Sequence, residues 1–536
     1  MHEGAMERAL AAWRRAIGED NVLTDEDADR AYGGSATPLF RRSAALKVSS
    51  IDDLSEIVRI ASEFAVPLYP ISTGRNWGYG GASPVRDGCV IVDLAGFDRI
   101  LDFDAELGLV TIQPGVTQQK LRAYLDTHAP EFLVPVHGGG PNCSLLGNAI
   151  ERGYGITPIA DHFGAVTTIE AILPDGTIYR SALDALGGET VDKAFKWGIG
   201  PYLDGLFTQS NFGIVTKATI ALARTPERTE AFFFWIERDA DLERAVAAVR
   251  DVVRTAGGVI ESINLMNTRR VLSMMVPYPR DQVPHGSIIP DELVANLARE
   301  NKAPAWMGVG AMYGNAKLVK ATRKVIKGKL RPIAHRLVFT SPSFVRRLRR
   351  VLEWLRWRSV ERLERVVGTI DKSLELMSGT PSEIALPLAY WKSDTPPPDG
   401  QPMNPARDDC GLIWYSPLVP MKPDAVRRYV QMVTQTCIAH GIEPLITLTS
   451  LSERCLDSTV PILFDRADSD DLTRAHLCYE ALFRGGQKMG CIPYRVGIKH
   501  MELVVDPAAP AWQLSAKIKD AIDPQGIMSP GRYSSV

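Results

Sequence analysis

Cysteine is sparse and scattered in this chain: seven residues, at 89, 143, 410, 437, 455, 478 and 491, an odd count with no Cys-x-x-Cys pair. That excludes a disulfide framework and a zinc site, so no metal is expected. It also favours a reducing, cytoplasmic setting. Long apolar runs are missing too. Nothing approaches the about 18 residues that a membrane-crossing helix needs, and Met1–Gly18 mixes acids and arginines with alanines where a signal peptide would be continuously apolar. Charge of one sign is also lacking, and a net charge of −2 gives no global attraction to nucleic acid. Repeats and low-complexity tracts are absent. With 45% hydrophobic and 23% charged residues, the composition is that of a folded protein. At 536 residues the chain is too long for one core, so two or three domains are expected.

What is present is an alternation of short apolar strands and helices from about residue 45. Ile51–Glu63 has a helical apolar face (Ile51, Leu54, Ile57, Val58, Ala61) behind Ser50 as N-cap. Cys89–Leu94, Leu107–Gln113, Thr167–Leu173, Thr177–Arg180 and Ile214–Ala223 read as strands, with Pro174-Asp175-Gly176 a hairpin turn. After Arg228 the pattern changes: a strand at Phe232–Ile236, a helix at Ala240–Thr255 capped by Asp239, a strand at Gly257–Ile263, then proline-rich stretches with helices between. A helix is expected at Trp512–Ile522 before a turn-rich tail. Phe344–Val367 reads as one basic amphipathic helix. Leu348, Val351, Leu352, Leu355 and Leu363 lie on one side and arginines on the other, with Trp354 and Trp357 present. Such a helix either lies on an anionic membrane surface or caps a domain with a solvated arginine face.

Three glycine-rich segments stand out. The first, Ile71-Ser-Thr-Gly-Arg-Asn-Trp-Gly-Tyr-Gly-Gly-Ala82, has four glycines within eight residues. The second is His137-Gly-Gly-Gly-Pro-Asn-Cys-Ser-Leu-Leu-Gly-Asn-Ala149, and the third is Gln209-Ser-Asn-Phe-Gly-Ile-Val-Thr216. None is a Gly-x-Gly-x-x-Gly dinucleotide fingerprint or a phosphate loop ending in Gly-Lys-Ser/Thr. Each can turn backbone N–H groups toward an anion. Three such turns in one α/β domain suit a large cofactor with two phosphates and a ring system.

In this order the segments resemble the FAD-binding domain of the vanillyl-alcohol oxidase and p-cresol methylhydroxylase flavoproteins. The likeness extends to Thr157-Pro158-x-x-Asp161-His162-Phe163, to the cap-domain strand Cys410–Pro417, to Tyr494-Arg495, and to Asp523-Pro524-x-Gly526-Ile527-x-x-Pro530-Gly531. It implies an α+β, two-domain FAD-binding fold with an α/β cap. The FAD-binding domain would span 1–227 (core about 42–226), the cap 228–489, and 490–536 would return to the first domain. By the same likeness Thr73, Gly74, Arg75, Asn76, Trp77 and Gly78 lie against the pyrophosphate. Gly147, Asn148, Gly213, Ile214 and Val215 hold the adenine and flavin portions, and Arg532 either meets the flavin or braces the fold.

On the substrate side, removing hydride from the benzylic carbon of a para-substituted phenol is easiest from its phenolate, because a neutral quinone methide results. A site for it needs donors and a fixed positive charge. The resemblance puts Tyr79, Tyr494 and Arg495 in that clamp, and arginine stays charged at any working pH. Asp161 is the expected base for water addition to the quinone methide. His162 is its neighbour in the site or a hydrogen-bonding core residue.

The chain departs from the family at Leu412, where covalently flavinylated members carry His or Tyr, and the first loop holds no histidine. Non-covalent FAD follows. Ile159-Ala160 replaces Tyr-Gly before Asp161, and the basic stretch 323–367 has no counterpart. The expectation is an FAD-dependent oxidoreductase acting on a phenol by hydride transfer to flavin N5. Oxygen and an electron-transfer protein such as a cytochrome both stay open as acceptor, and family relatives suggest a homodimer. Two alternatives stand beside it: a flavoenzyme for a hydroxy acid or natural-product intermediate, and a peripheral-membrane or scaffold protein without redox work.

Overall fold

The structure is a computed structural model that describes residues 3–34, 42–355, 361–393 and 395–535. Its described residues form three sheets. A four-stranded sheet has the order Val22–Thr24, Arg42–Lys47, Cys89–Asp93, Leu68–Ile71, the last three parallel. Ile51–Phe64 supplies the crossover between Arg42–Lys47 and Leu68–Ile71. It starts with a reciprocal capping box: Ser50 Oγ accepts from Asp53 N at 3.0 Å and Asp53 Oδ2 from Ser50 N at 3.1 Å. Its Leu54, Ile57, Val58 and Ala61 are buried, as the helical spacing requires.

Beside it lies a five-stranded antiparallel sheet in the order Ile100–Asp104, Leu109–Ile112, Ile214–Ala221, Val166–Ile172, Ile178–Tyr179. The expected hairpin at Pro174–Gly176 joins the last two, with Ile172 opposite Ile178.

The third sheet is an eight-stranded antiparallel layer. Its order is Arg336–Thr340, Arg228–Ile236, Trp306–Gly314, Ile263–Asn267, Thr447–Ser450, Cys455–Asp465, Cys410–Pro420, Pro493–Arg495. The two-residue period of a strand sorts its side chains. Ile413, Tyr415, Leu456, Val460 and Ile462 enter the core formed with the helices Leu242–Ala256, Pro423–Ala439 and Ser469–Lys488. Leu412, Trp414, Ser416 and Asp457 therefore face the other way, toward the first two sheets.

Three local expectations change. Gly257–Ile260 is a turn, and the strand begins at Ile263. Asp239 does not cap the following helix, which starts at Leu242; its carboxylate instead accepts from Trp306 Nε1 at 2.8 Å and pairs with Arg427. The basic segment holds two helices, Pro342–Leu355 and Glu361–Met377, which lie against each other. Val345 and Val367 are buried with Phe233 and Leu374. Trp357 lies outside the described residues, as do the side chains of 351–366.

The tail returns to the first sheet. Leu68 N donates to Ile527 O at 2.7 Å, and Ser529 N to Leu68 O at 2.8 Å. The buried pair Lys519–Asp523 holds this arrangement. Lys519 Nζ donates to Asn211 O (2.6 Å) and Met528 O (2.9 Å), while Asp523 accepts from the N–H groups of Ile527 and Met528.

Candidate active site

A cleft of about 380 Å³ runs between the first two sheets and the cap sheet, in the size range of a ligand site. One wall is the first glycine-rich loop, where Gly74 (φ +64°), Gly78 (+74°) and Gly81 (+60°) adopt backbone conformations that L side chains rarely take. Gly78 has a second reason to be glycine. Its oxygen accepts from Trp414 N at 3.2 Å, and a Cβ there would lie 2.4 Å from the Trp414 ring. This contact closes the cap strand onto the loop. Gly78 is thus a contact between loop and cap and does not itself line the cleft. Thr73, Gly74, Arg75, Asn76 and Trp77 do.

The second glycine-rich segment forms the adjoining wall. Ser144 caps the helix Leu145–Ile150, accepting from Gly147 N at 2.8 Å, and its own N–H donates to Thr73 Oγ1 at 3.2 Å. A Cβ on Gly147 would fall 2.4 Å from Ser72 Oγ and 3.2 Å from Ser144 Oγ, so glycine lets the two loops meet without turning the Ser72 hydroxyl away. Gly147, Asn148, Gly213, Ile214 and Val215 all line the cleft.

One corner is charged. Arg495 comes from the strand Pro493–Arg495, whose Ser416 partner on the neighbouring strand hydrogen-bonds the Tyr79 hydroxyl at 2.8 Å. The guanidinium lies 4.3 Å from the centre of the Tyr79 ring, donates to Asn76 Oδ1, and has its Nε 3.5 Å from Glu151. Glu151 also pairs with Arg532, which in turn donates to Tyr69 OH at 3.0 Å. Glu151 went unrecognised in the sequence, since a lone glutamate carries no motif. Its role appears only when two arginines from the C-terminal segment fold onto it. Burial pushes the Tyr79 hydroxyl up to about 12, with Arg495 and the Ser416 hydrogen bond acting the other way, so Tyr79 is a neutral donor at ordinary pH.

Tyr494 belongs to the same corner: burial, then Asp457 and Tyr79, push its hydroxyl well above the ordinary range while Arg495 acts the other way, and its ring lies 5.5 Å from that of Tyr154. Asp161 does not line the cleft. Its carboxylate caps the four-residue helix His162–Ala165, accepting from Gly164 N at 2.8 Å, and it is exposed. Its observed contact is that of a helix cap. His162 is buried behind the wall, its Nδ1 2.6 Å from Asn148 Nδ2, and burial lowers it to about 4, which leaves it neutral. His137, one layer closer, does line the cleft. It is lowered to about 3 by burial, then by His162 and Arg495, and its buried Nε2 has no partner among the described residues.

Two further groups were not singled out from the sequence. Asp457 is buried on the cleft-facing side of the cap sheet, opposite Leu418. Thr459 donates to its Oδ2 at 3.3 Å, Oδ1 has no partner among the described residues, and burial pushes the carboxyl up to about 7. Arg270, at the start of the cap helix Thr268–Met275, lines the cleft from the cap side.

The walls fit a dinucleotide. They offer turned backbone N–H groups, a capped helix N-terminus, an unpartnered imidazole nitrogen and the cation Arg75. Leu412 faces the same cleft. Residues 43–182 match the FAD binding domain family. Over 544 aligned residues the chain is 37% identical to 1'-carboxy-chondrochloren decarboxylase of Chondromyces crocatus, covering 99% of this chain and 98% of that one. It belongs to the vanillyl-alcohol oxidase and p-cresol methylhydroxylase family.

This flavoprotein is also 26% identical to the 4-cresol dehydrogenase flavoprotein subunit of Pseudomonas putida, over 99% of its own length and 96% of the relative's. The solved structure of p-cresol methylhydroxylase with substrate bound superposes with a TM-score of 0.86 at 25% identity, covering 99% and 97% of the two chains. The protein is an FAD-dependent oxidoreductase that holds FAD without a covalent bond.

Proposed function

We propose that this flavoprotein oxidises a natural-product intermediate whose reactive part is a para-substituted phenol. The observation that carries the reading is the Tyr79–Arg495 corner on the cleft wall, in a chain whose full-length 37% relative is named for a natural-product acid and whose 26% relative is named for 4-cresol. FAD, when bound, supplies the two-electron acceptor for the hydride.

The chain's own residues supply the polarity. Arg495 and Arg532 bring two positive charges and Glu151 one negative, so the corner keeps a net positive charge suited to a phenolate. Tyr79, protonated at working pH, donates a hydrogen bond. With the phenolate stabilised, hydride departure from the benzylic carbon leaves a neutral quinone methide. Where the next carbon bears a carboxylate, its C–C bond breaks, CO2 leaves, the electron pair forms a C=C bond and the ring regains its phenolate. Where it does not, water adds at the benzylic carbon. Both fates of the intermediate are compatible with this corner.

The test is anaerobic mixing of the yellow protein with 4-alkylphenols. Loss of the oxidised flavin absorbance is expected, slowed at least tenfold in Tyr79→Phe and more in Arg495→Ala. Bleaching by 2-hydroxy acids with none by any phenol would overturn the phenol assignment.

A further inference from the structure

Of the cleft-lining arginines named above, Arg495 and Arg532 share Glu151, whereas Arg75 and Arg270 have no acidic partner among the described residues. Arg75 stands on the loop proposed for the diphosphate, its guanidinium 5.9 Å from the Trp77 ring, so an anion is already in view for it. Arg270 comes from the cap helix Thr268–Met275. It donates one N–H to Ser273 Oγ at 3.1 Å, and no carboxylate faces it among the described residues. The cap also brings Leu388 and Ala389 from the turn Leu386–Tyr390, and Leu412 and Trp414 from the strand Cys410–Pro420, to the same cleft. Arg270 is half-buried and lines the cleft. Burial alone pulls the guanidinium down to about 10, so it remains charged at neutral pH.

A partly desolvated cation without a counter-ion is costly to keep, and such groups are normally paired. We infer that the counter-ion arrives with the substrate: Arg270, brought to the cleft by the cap helix Thr268–Met275 and separate from the Tyr79–Arg495 corner, is the receptor for a carboxylate on the side chain of the phenolic substrate. The inference rests on the proposed phenol reading and adds a second charged anchor to it. A carboxylate accepts two parallel N–H bonds from a guanidinium, which fixes direction as well as charge. With the phenol held at the corner and the acid at Arg270, the intervening benzylic carbon is set in one orientation. The alternative source of an anion in this cleft is the FAD diphosphate. Arg270 comes from the cap helix Thr268–Met275, whereas the turned N–H groups, the capped helix and Arg75 all come from the glycine-rich segments 71–82 and 137–149.

The experiment uses FAD-loaded wild type, Arg270→Ala and Arg270→Lys, with 3-(4-hydroxyphenyl)propanoate and the uncharged 4-propylphenol as probes in anaerobic flavin reduction. Wild type is expected to reach half-maximal reduction rate at lower concentrations of the acid than of the neutral phenol. Arg270→Ala should raise that concentration for the acid by about 10- to 100-fold, as loss of a charge-assisted hydrogen bond implies, and by less than about threefold for 4-propylphenol. Arg270→Lys should recover part of the difference. Flavin content should be unchanged. If Arg270→Ala purifies without flavin, the arginine serves the diphosphate and the inference is overturned. Equal weakening of both probes overturns it as well, because a structural role would not distinguish them.

A third probe separates this inference from the phenol reading. 3-Phenylpropanoate has the acid and no phenol, and it should protect wild type, but not Arg270→Ala, against thermal unfolding. Protection without reduction by either phenol would sink the phenol reading and keep Arg270. Absence of differential protection would sink Arg270 alone.

Discussion

Replacing Asp457 by asparagine tests the electrostatics of the cap sheet directly. The carboxyl is buried, its Oδ1 has no partner among the described residues, and Oδ2 receives one 3.3 Å bond from Thr459. Burial raises it from an ordinary 3.8 to about 7, with the Thr459 bond opposing. The sign follows from proton counts. Between the unfolded and folded values the native state holds a proton that the unfolded chain has lost, so stability falls as pH rises through that window. Below the unfolded value both states are protonated and the group contributes nothing; above about 7 both are ionised and the loss is complete.

Each unit of separation is worth about 1.4 kcal/mol, which places the full penalty of the charged form at roughly 4 kcal/mol for a shift of this size. The Asp457→Asn variant would keep the shape and the Thr459 hydrogen bond and remove the charge. Thermal unfolding followed by flavin release across about pH 4–9 should show the variant gaining on wild type from about pH 4 to 7 and holding a constant lead above that. The difference between the two proteins cancels the titration of every other group. A difference that is flat across the range, or one that grows toward acid, would refute the assignment of a protonated Asp457.

Glu151→Gln should leave Arg495 and Arg532 without their shared counter-charge. A loss of about 3–5 kcal/mol is expected for breaking a buried pair, read as a lower melting temperature and weaker phenol binding. Asp161→Ala should lower stability by about 1 kcal/mol through the lost cap while leaving the flavin reduction rate within about threefold of wild type; a large kinetic defect would mark it as a base. Gly147→Ala should weaken flavin retention on gel filtration, because its methyl would sit 2.4 Å from Ser72 Oγ and crowd the Ser72 and Ser144 hydroxyls where the two loops of the FAD wall meet.

Much of this was readable before any coordinate. Ser50 and Asp53 write the start of a helix in four residues, and the positive-φ glycines of residues 74–81 write a turn, because these are local steric and hydrogen-bonding matters. The order of glycine segments carried the cofactor. At Asp161 the local capping role and the catalytic expectation share the same residue type, and only burial and direction tell them apart. Asp239 misled because a distant tryptophan and arginine outcompeted the nearby helix for its carboxylate.

By itself, then, the sequence determined the α+β class and the FAD cofactor, carried by short-range patterns and by the order of the glycine-rich segments. Only the tertiary structure decided what faces the cleft. Glu151 meets two arginines more than 300 residues away in the chain, Asp457 is set by strand parity on the cleft side of the cap, and Arg270 lines the cleft from the cap without an acidic partner among the described residues. Charge pairing and desolvation depend on distance in space, and no spacing along the chain encodes them.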